Sequence, residues 1–322
     1  MKARNIALVG GSGFIGTRLT QLLLQAGHRV KILDIQDSNA FPELRADVDV
    51  RNAEALAREC AGCDVIYNLA AEHKDDVRPV SLYDDVNVQG ARKVCAAAER
   101  LGIIEIIFTS SVAIYGFGQT ELDEGADRNY INDYGRTKYE AEQVYLAWVG
   151  ADPSRKLRIV RPTAVFGEGN RGNVYNLIRA IANKHFVMVG AGANYKSIAY
   201  VGNVAAFLQY VLDLDGKPIE IFNYVDKPDL QMKELVLLVR DCFGFGNSMP
   251  IGLPMWAVYG VATFLDWVAA ARNKSFPLSR VRIRKFCSNS QFSSQRVSDA
   301  GFKPSFNLQD ALRQTIRAEF DL

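Results

Sequence analysis

A tyrosine and a lysine near the middle of the chain have the spacing of a proton-transfer pair. Tyr134 and Lys138 lie four residues apart in Tyr-Gly-Arg-Thr-Lys, so on a helix both side chains share one face. A neighbouring ammonium lowers the pKa of a phenol, which predicts Tyr134 as a general base. Upstream, the hydroxyl of Ser111 is available to bond a reacting substrate oxygen. Taken alone, the Tyr–Lys pair also fits two side chains on a helix surface.

A glycine-rich segment near the start of the chain predicts a dinucleotide site. Residues 9–16 are Val-Gly-Gly-Ser-Gly-Phe-Ile-Gly. Gly10, Gly13 and Gly16 have the spacing that lets a tight turn approach a pyrophosphate at a helix N-terminus. Asp34 ends the second predicted strand, where a carboxylate bonds the ribose hydroxyls and repels a 2′-phosphate. The pattern predicts NAD rather than NADP; the alternative is a glycine turn without a ligand.

The elements that must position these residues alternate along the chain. Strands are predicted at 5–9, 30–34, 65–69, 104–109 and 157–161, and helices at 16–26, 53–59, 86–101, 134–148, 173–183, 233–242 and 310–319. This alternation predicts an α/β fold, a Rossmann-type doubly wound parallel sheet with a smaller, discontinuous C-terminal substrate lobe. We expect the NAD-binding domain at residues 1–165, with 195–225 returning to it, and the lobe mainly at 166–322.

Composition excludes several classes of protein. The 322 residues have a formal net charge of +2 and are 48% hydrophobic, which predicts a globular protein and no nucleic-acid partner. Five scattered cysteines and a start without a signal peptide predict a cytoplasmic protein without disulfides. Cys60 and Cys63 form a Cys-x-x-Cys without a second ligand pair, so we expect a helix end and no metal site.

Together the motifs resemble the extended short-chain dehydrogenase/reductase family, in its NAD-dependent sugar epimerase/dehydratase branch. The resemblance implies NAD as the cofactor and Ser111, Tyr134 and Lys138 as the catalytic residues. It also implies that Asp49 and Val50 contact adenine and that Pro162 lies beside the nicotinamide. The full set of implied cofactor-binding residues is Gly10, Gly13, Phe14, Ile15, Gly16, Asp34, Asp49, Val50, Leu69, Ala70, Ala71, Tyr134, Lys138 and Pro162.

Later segments, among them Arg-Gly-Asn-Val-Tyr-Asn at 171–176, resemble a bacterial subgroup that interconverts GlcNAc and GalNAc on undecaprenyl diphosphate. This resemblance implies C4 epimerisation of a lipid-linked N-acetylhexosamine, through a transient 4-keto sugar and enzyme-bound NAD, in the synthesis of surface polysaccharides such as O-antigen. Val112 and Ala113 stand where dehydratases of the branch carry an acid–base pair, so water elimination is not expected. The implied substrate-binding residues are His73, Ser111, Asn173, Lys196 and Ser290.

Two of these substrate positions also have a reason in the sequence. His73 follows the fourth predicted strand at the edge of the sheet where ligands bind, although a solvated loop histidine is the alternative. Ser290 aligns with a position that gates the N-acetyl pocket of the resembled epimerases, and its small side chain leaves room for an acetamido group.

Three other functions stay open: a soluble UDP-N-acetylglucosamine or UDP-glucose 4-epimerase, an NAD-dependent sugar dehydrogenase or reductase, and a redox-sensing regulator.

The C-terminal part of the sequence predicts contact with a membrane. Residues 251–271 are apolar with one charge and two tryptophans, and six cations follow at Arg272, Lys274, Arg280, Arg282, Arg284 and Lys285. Residues 251–322 carry ten Lys and Arg against five Asp and Glu. An apolar segment beside basic residues is typical of a peripheral anchor on an anionic leaflet. We expect a protein on the inner face of the cell membrane; a buried helix in the substrate lobe is the alternative. A homodimer is also expected.

Overall fold

The computed structural model describes residues 2–74, 77–116, 121–250, 252–256, 258, 260, 263 and 286–322. Its strands are β1 (Asn5–Val9), β2 (Arg29–Asp34), β3 (Arg45–Asp47), β4 (Val65–Asn68), β5 (Glu105–Thr109), β6 (Lys156–Pro162), β7 (Ala164–Phe166), β8 (Met188–Val189), β9 (Tyr195–Lys196), β10 (Ile198–Tyr200), β11 (Ile219–Tyr224), β12 (Leu230–Gln231) and β13 (Gly252–Leu253). Within the described residues, seven of them form one parallel sheet in the order β11-β6-β5-β4-β1-β2-β3. The predicted fold class is confirmed.

Helices cover both faces of this sheet. The helices of the described residues are α1 (Phe14–Gln25), α2 (Ala53–Glu59), α3 (Ser81–Tyr83), α4 (Gly90–Leu101), α5 (Asp133–Gly150), α6 (Asn173–Ala182), α7 (Val201–Tyr210), α8 (Met232–Cys242), α9 (Gln295–Asp299) and α10 (Leu308–Phe320). A π-helical stretch, Asp84–Gln89, joins α3 to α4. Short 3-10 helices occur at Pro42–Leu44 and Val112–Tyr115. In the described part of the chain, no helix is long and apolar enough to cross a membrane.

The sheet has a separate apolar core on each face. On one face, side chains of α2, α4 and α5 pack against the strands, with Leu56, Val94 and Tyr145 among the buried members. On the other face, α1 and α7 supply residues such as Leu19 and Phe207. Strands that are covered on both sides lose the alternation of polar and apolar residues, which is why β5 is a continuous buried run, Glu-Ile-Ile-Phe-Thr. Strands buried in this way appear in the sequence as nearly continuous apolar runs, and that pattern is what predicts them.

The chain after β7 is divided between this sheet and a second packing unit. Helices α6, α8 and α10 share a third core that includes Ile178, Val236 and Leu312. Helix α7 packs on α1, and β11 pairs with β6 at the edge of the large sheet. Three short strand pairs, β7–β10, β9–β12 and β8–β13, lie outside the seven-stranded sheet. After β7 the chain therefore leaves the large sheet and returns to it with α7 and β11.

Candidate active site

The start of α5 is seated directly on the segment that follows β5. Asn132 caps the helix, because its side-chain oxygen accepts a hydrogen bond of 2.9 Å from the Gly135 N–H. A Cβ atom at Gly135 would lie 2.6 Å from the Ala113 carbonyl oxygen, so a larger residue would force the two segments apart. Ala113 belongs to the 3-10 helix that begins immediately after Ser111. This contact places the first turn of α5 beside the end of β5.

Ser111 and Tyr134, both predicted as catalytic residues, meet at this junction. The Ser111 Oγ accepts a hydrogen bond of 3.1 Å from the Ala113 N–H, which fixes the side chain at the N-terminus of the 3-10 helix. Burial raises the pKa of Tyr134, and a side-chain hydrogen bond with Ser111 lowers it by a smaller amount. The expectation of a lowered pKa for Tyr134 is therefore wrong for this structure: removal from water outweighs the groups that favour the phenolate.

Lys138 lies one helical turn further on and is buried, with 2% of its surface exposed. Its Nζ donates a hydrogen bond of 2.7 Å to the Thr109 carbonyl and lies 4.7 Å from the centre of the Phe108 ring. Burial lowers the pKa of Lys138 to about 7, and the Glu142 carboxylate opposes that shift. Burial thus disfavours the charged form of the amine, and the nearby carboxylate favours it.

The glycine loop leads from β1 to α1 and touches the end of the neighbouring strand β4. Gly10 follows β1 with a φ of +78°, and a Cβ atom there would lie 2.5 Å from the backbone nitrogen of Ala70, which follows β4. A Cβ atom at Gly16 would lie 2.6 Å from the Gly11 backbone, so glycine lets α1 pack on the loop. Gly13 is the N-cap of α1 and no side chain caps this helix. The first N–H groups of α1, on Phe14 and Ile15, therefore point out of the helix end, where they can bind an anion.

Two acidic residues, Asp34 and Asp49, stand at positions where the resemblance implies contact with the adenosine half of the cofactor. Asp34 is half-buried, and its carboxylate accepts hydrogen bonds of 2.9 Å from the Ser12 and Gln36 N–H groups. These bonds hold the carboxylate against the glycine loop. Asp49 pairs with Arg51, whose hydrogen bond lowers the pKa of that carboxyl. Val50 is buried next to Gly90, where a Cβ atom would lie 3.0 Å from the valine side chain.

The remaining cofactor positions lie at the carboxyl ends of strands in the same sheet. The Leu69 N–H bonds the Val9 carbonyl at 2.8 Å, and the Ala70 N–H bonds the Asn68 side chain at 3.1 Å. Ala71 follows and is half-buried. Pro162 ends β6 and pairs with β11. The structure thus places the predicted residues along one edge of the sheet, which is where open parallel sheets bind ligands.

Orphaned polar atoms show that a polar ligand fits this edge. The hydroxyls of Ser12, Thr109 and Ser110 are buried and have no hydrogen-bond partner among the described residues. Buried hydroxyls are normally paired. Together with the free N–H groups of α1, they supply donors and acceptors that suit a dinucleotide. The residues present therefore fit NAD.

Besides Ser111, the predicted substrate residues fall into one pair and two separate positions. Lys196 and Ser290 are bridged through their backbones, and the Lys196 ammonium donates to the Ser288 carbonyl at 2.7 Å. Asn173 is exposed at the first position of α6. His73 is exposed in the loop after β4, with one ring nitrogen 3.4 Å from the Ala71 carbonyl oxygen.

A buried ion pair behind Lys138 is not among the residues predicted from the sequence. Arg161 donates to Glu142 with Nε–Oε1 and Nη2–Oε2 distances of 2.8 and 2.6 Å. Arg161 also donates to the Tyr115 hydroxyl at 2.6 Å. The position of Glu142, four residues after Lys138, indicates in the sequence that the two share a helix face. Its partner on β6 is not indicated, because pairing between distant segments leaves no local pattern.

The thiols and acidic side chains give no second chemical centre in the described part of the chain. Cys60 is buried and burial raises its pKa to about 12, and burial also raises the pKa of Cys63. Thiols with raised pKa values are poor nucleophiles and poor metal ligands. Among the described residues, no cluster of His, Cys, Asp and Glu could hold a metal ion.

The fold and this site define a Rossmann-type dinucleotide-binding protein with a tyrosine and a lysine at the cofactor edge. Residues 6–224 match the NAD dependent epimerase/dehydratase family. The chain is 45% identical, over 98% of its length and 95% of the relative, to the N-acetyl-alpha-D-glucosaminyl-diphospho-ditrans,octacis-undecaprenol 4-epimerase of Escherichia coli O157:H7. It is 25% identical to the UDP-glucose 4-epimerase of Vibrio cholerae, over 98% and 95% of the two chains.

Solved structures agree on the fold. The UDP-N-acetylglucosamine 4-epimerase from Methanobrevibacter ruminantium M1, in complex with UDP-N-acetylmuramic acid, superposes with a TM-score of 0.78 at 20% identity, covering 100% of this chain and 99% of that one. The chain belongs to the NAD dependent epimerase/dehydratase family, and NAD is its cofactor. The family resemblance and the cofactor predicted from the motifs are thereby confirmed.

Proposed function

We propose that the chain catalyses C4 epimerisation of an N-acetylhexosamine carried on undecaprenyl diphosphate, interconverting GlcNAc and GalNAc units. The observation that carries the proposal is the junction of Ser111 and Tyr134 at the cofactor edge, with Lys138 buried one turn away. Identity of 45% with the Escherichia coli lipid-linked sugar 4-epimerase supports the choice of substrate. Val112 and Ala113, next to the active hydroxyl, carry no acid or base, which favours epimerisation over dehydration.

In the proposed reaction, Tyr134 takes the proton of the sugar 4-hydroxyl and returns it at the end of the cycle. The chemistry that NAD supplies when bound is hydride transfer, first from C4 and then back to it. The sugar passes through a 4-keto form, so it loses and regains one proton and one hydride and no net oxidation occurs. Ser111, whose hydroxyl bonds Tyr134, would hold the reacting oxygen. Epimerisation then requires that the 4-keto sugar present its other face before the hydride returns.

The role proposed for Lys138 follows from its hydrogen bonds. One N–H is used by the Thr109 carbonyl, which leaves two donors on a protonated amine. These would bind a ribose hydroxyl of the nicotinamide half and favour the phenolate of Tyr134. The other residues that we propose to bind NAD follow the same edge of the sheet, from the glycine loop and Asp34 to Pro162. Asn173, Lys196 and Ser290 are proposed to contact the sugar diphosphate, and His73 to border it.

We also propose that the protein is cytoplasmic and works at the inner face of an anionic membrane. Within the apolar sequence at 251–271, described residues expose large apolar side chains, with Leu253 at 44% and Trp256 at 77%. An exposed tryptophan is typical of a membrane interface. The six cations at 272–285 that the sequence analysis singles out lie outside the described residues. Vesicle flotation tests the proposal: wild type should float with anionic liposomes at low salt, and Arg280→Glu, Arg282→Glu, Arg284→Glu together should not. Wild-type protein that stays in the bottom fraction, apart from the floating liposomes, would contradict it.

The substrate assignment is tested by offering the same sugar on two carriers. GlcNAc-diphospho-undecaprenol and UDP-GlcNAc are incubated in parallel, and the released sugars are separated by chromatography. We expect GalNAc from the lipid-linked substrate and far less from the nucleotide. Turnover of the nucleotide alone would replace the proposal with a soluble UDP-N-acetylglucosamine 4-epimerase. The proposed homodimer is checked by light scattering on the purified protein, where a mass close to 35.7 kDa would contradict it.

A further inference from the structure

Ser197 is a buried serine between the proposed cofactor side and the proposed substrate side of the site. It follows β9 and is 2% exposed. Its carbonyl oxygen accepts a hydrogen bond of 2.8 Å from the Thr163 hydroxyl, and Thr163 follows Pro162 at the end of β6. Its N–H donates to the Ser290 carbonyl at 2.8 Å. The backbone of this one residue thus joins the cofactor edge of the sheet to the chain segment around Ser290.

The Ser197 hydroxyl forms two further hydrogen bonds, and a carboxylate fixes their direction. The Oγ atom lies 2.6 Å from the Asp229 Oδ1 and 3.2 Å from the Phe292 nitrogen. An ionised carboxylate can only accept hydrogen bonds, so the hydroxyl donates to Asp229 and its lone pair accepts the Phe292 N–H. The distance of 2.6 Å is typical of a charge-assisted O–H···O⁻ bond. Each polar atom of Ser197 therefore has a partner, and Asp229 selects the orientation in which Phe292 is bound.

The Asp229 carboxylate has a second link to the same segment. Its side chain is 4% exposed. The Oδ2 atom accepts hydrogen bonds from the Lys227 ammonium at 2.7 Å and from the Gln291 amide at 3.3 Å. The ammonium compensates the charge of a carboxylate that is almost closed off from water. Asp229 therefore holds the segment directly through Gln291 and indirectly through the hydroxyl of Ser197.

We propose that Ser197, with its hydroxyl oriented by Asp229, is a positioning residue for the substrate side. Lys196 precedes Ser197, and Ser290 precedes Gln291. Both proposed sugar-diphosphate contacts are thus next to a residue that the carboxylate binds, and these bonds hold the two contacts at a fixed place relative to the cofactor edge. The inference rests on the roles proposed for Lys196 and Ser290. Its test measures binding, so that it and the proposed reaction can fail separately.

Ser197→Ala removes both hydroxyl bonds and keeps the backbone bonds. We expect its affinity for GlcNAc-diphospho-farnesol, an analogue with a short prenyl chain, to fall about tenfold. Affinity for the matching glucose compound should fall less, because glucose has no acetamido group to place beside Ser290. Calorimetric titrations of the NAD-loaded protein measure both affinities. The NAD content should stay that of wild type, since no proposed NAD-binding residue is altered.

Two substitutions at Asp229 test the orientation of the hydroxyl. Asp229→Asn keeps an oxygen that can accept from Ser197, whereas Asp229→Ala leaves the hydroxyl free to turn away from Phe292. Affinity for the N-acetyl compound should therefore fall less in Asp229→Asn than in Asp229→Ala. Thr315→Val is the matched control, because its buried hydroxyl donates to the Ala311 carbonyl at 2.8 Å on α10. It should lower the free energy of unfolding, as Ser197→Ala does, and leave both affinities unchanged.

A serine that only stabilises the lobe would weaken the binding of both compounds equally, or of neither. Either result in Ser197→Ala overturns the proposal, as does an equal loss of affinity in the two Asp229 variants. If Ser197→Ala does not fold, the Asp229 variants decide alone. Wild-type protein that binds the N-acetyl compound without epimerising it would contradict the proposed reaction only, and wild-type protein that binds neither compound would overturn both.

Discussion

The proposed cofactor side and the proposed substrate side of the site are built from different kinds of contact. On the cofactor side, close approaches of backbone to backbone fix the geometry, as at Gly10 against Ala70. On the substrate side, two-residue strands and single side-chain bonds fix it, as where Lys196 reaches the Ser288 carbonyl. A close approach between two backbones allows only glycine at that position, whereas a side-chain contact can be made by several residue types. The first side can therefore be predicted from a motif, and the second can change its ligand without changing the fold.

Tyr134→Phe tests the point where the two sides meet, and it should have the largest effect on the reaction. Loss of a general base typically costs about 10²–10⁴ in rate. NAD should remain bound, because the phenol is proposed to act on the sugar. Steady-state turnover of the lipid-linked substrate, with the bound nucleotide measured after denaturation, gives both quantities. Activity within about threefold of wild type would contradict the role of Tyr134.

Gly10→Ala tests how rigid the cofactor side is. The new methyl group would meet the Ala70 backbone at 2.5 Å in a residue with a φ of +78°. We expect loss of bound NAD and a fall of about 3 kcal/mol in the free energy of unfolding. Gly27→Ala is the matched control, since Gly27 has a φ of +83° with no atom within 4 Å of the new methyl group. It should cost about 1 kcal/mol and leave NAD bound. Denaturant titrations measure the free energy of unfolding of both variants. Equal losses would show that the positive φ, and not the contact with Ala70, causes the destabilisation.

Ser290→Tyr tests whether the substrate side can change its ligand independently. The backbone of Ser290 is held by bonds of 3.1 and 2.8 Å with Tyr195 and Ser197, so the larger side chain should leave that bridge in place. A ring there should fill the space proposed for the acetamido group, and turnover of N-acetylhexosamine should fall at least about tenfold more than turnover of the glucose and galactose analogues. Parallel assays of the two sugar types measure this ratio. An equal decline for both would remove Ser290 as a specificity residue.

Lys138→Met tests the buried amine through stability and not through the reaction. The pKa of Lys138 is about 7 in the folded protein and 10.5 for the unperturbed side chain. Between these values the unfolded chain binds more protons, so this group makes the protein more stable as pH rises from about 7 towards 10.5. Replacing it should raise the free energy of unfolding at pH 7 and remove that part of the rise. Denaturant titrations at pH 7 and 9 measure the difference, and an unchanged pH dependence would contradict a lowered pKa of the buried amine.

The residues that the sequence predicts well are those whose position depends on local backbone geometry. The strand at Asn5–Val9 and the helix at Ala53–Glu59 are found with the predicted bounds. The helix predicted from residue 16 begins at Phe14, because its N-cap is a glycine of the loop itself. The helix predicted from residue 86 extends back through a π-helical stretch to Ser81. There the buried Asn87 bonds the Glu72 backbone and the Thr137 hydroxyl, tying the exit of β4 to α5.

The features that the sequence does not predict depend on contacts between distant segments. Strands β8 and β13 pair with each other across more than sixty positions of the sequence and contain two residues each. Two residues are too few to show any periodicity. The Arg161–Glu142 pair and the raised pKa of Tyr134 both follow from burial, which depends on the packed fold. Motif spacing identifies Tyr134 and Lys138 as a pair, but it does not give the charge that either carries.

The most direct test of the proposed reaction follows the hydrogen at C4 of the sugar. GlcNAc-diphospho-undecaprenol with deuterium at C4 is incubated with the purified protein and its bound NAD, and product and nucleotide are analysed by mass spectrometry. We predict GalNAc that keeps the deuterium at C4, with no net accumulation of reduced nucleotide. Reduced nucleotide formed in proportion to an oxidised sugar, or product that has lost the deuterium to solvent, would contradict epimerisation by transient oxidation at C4.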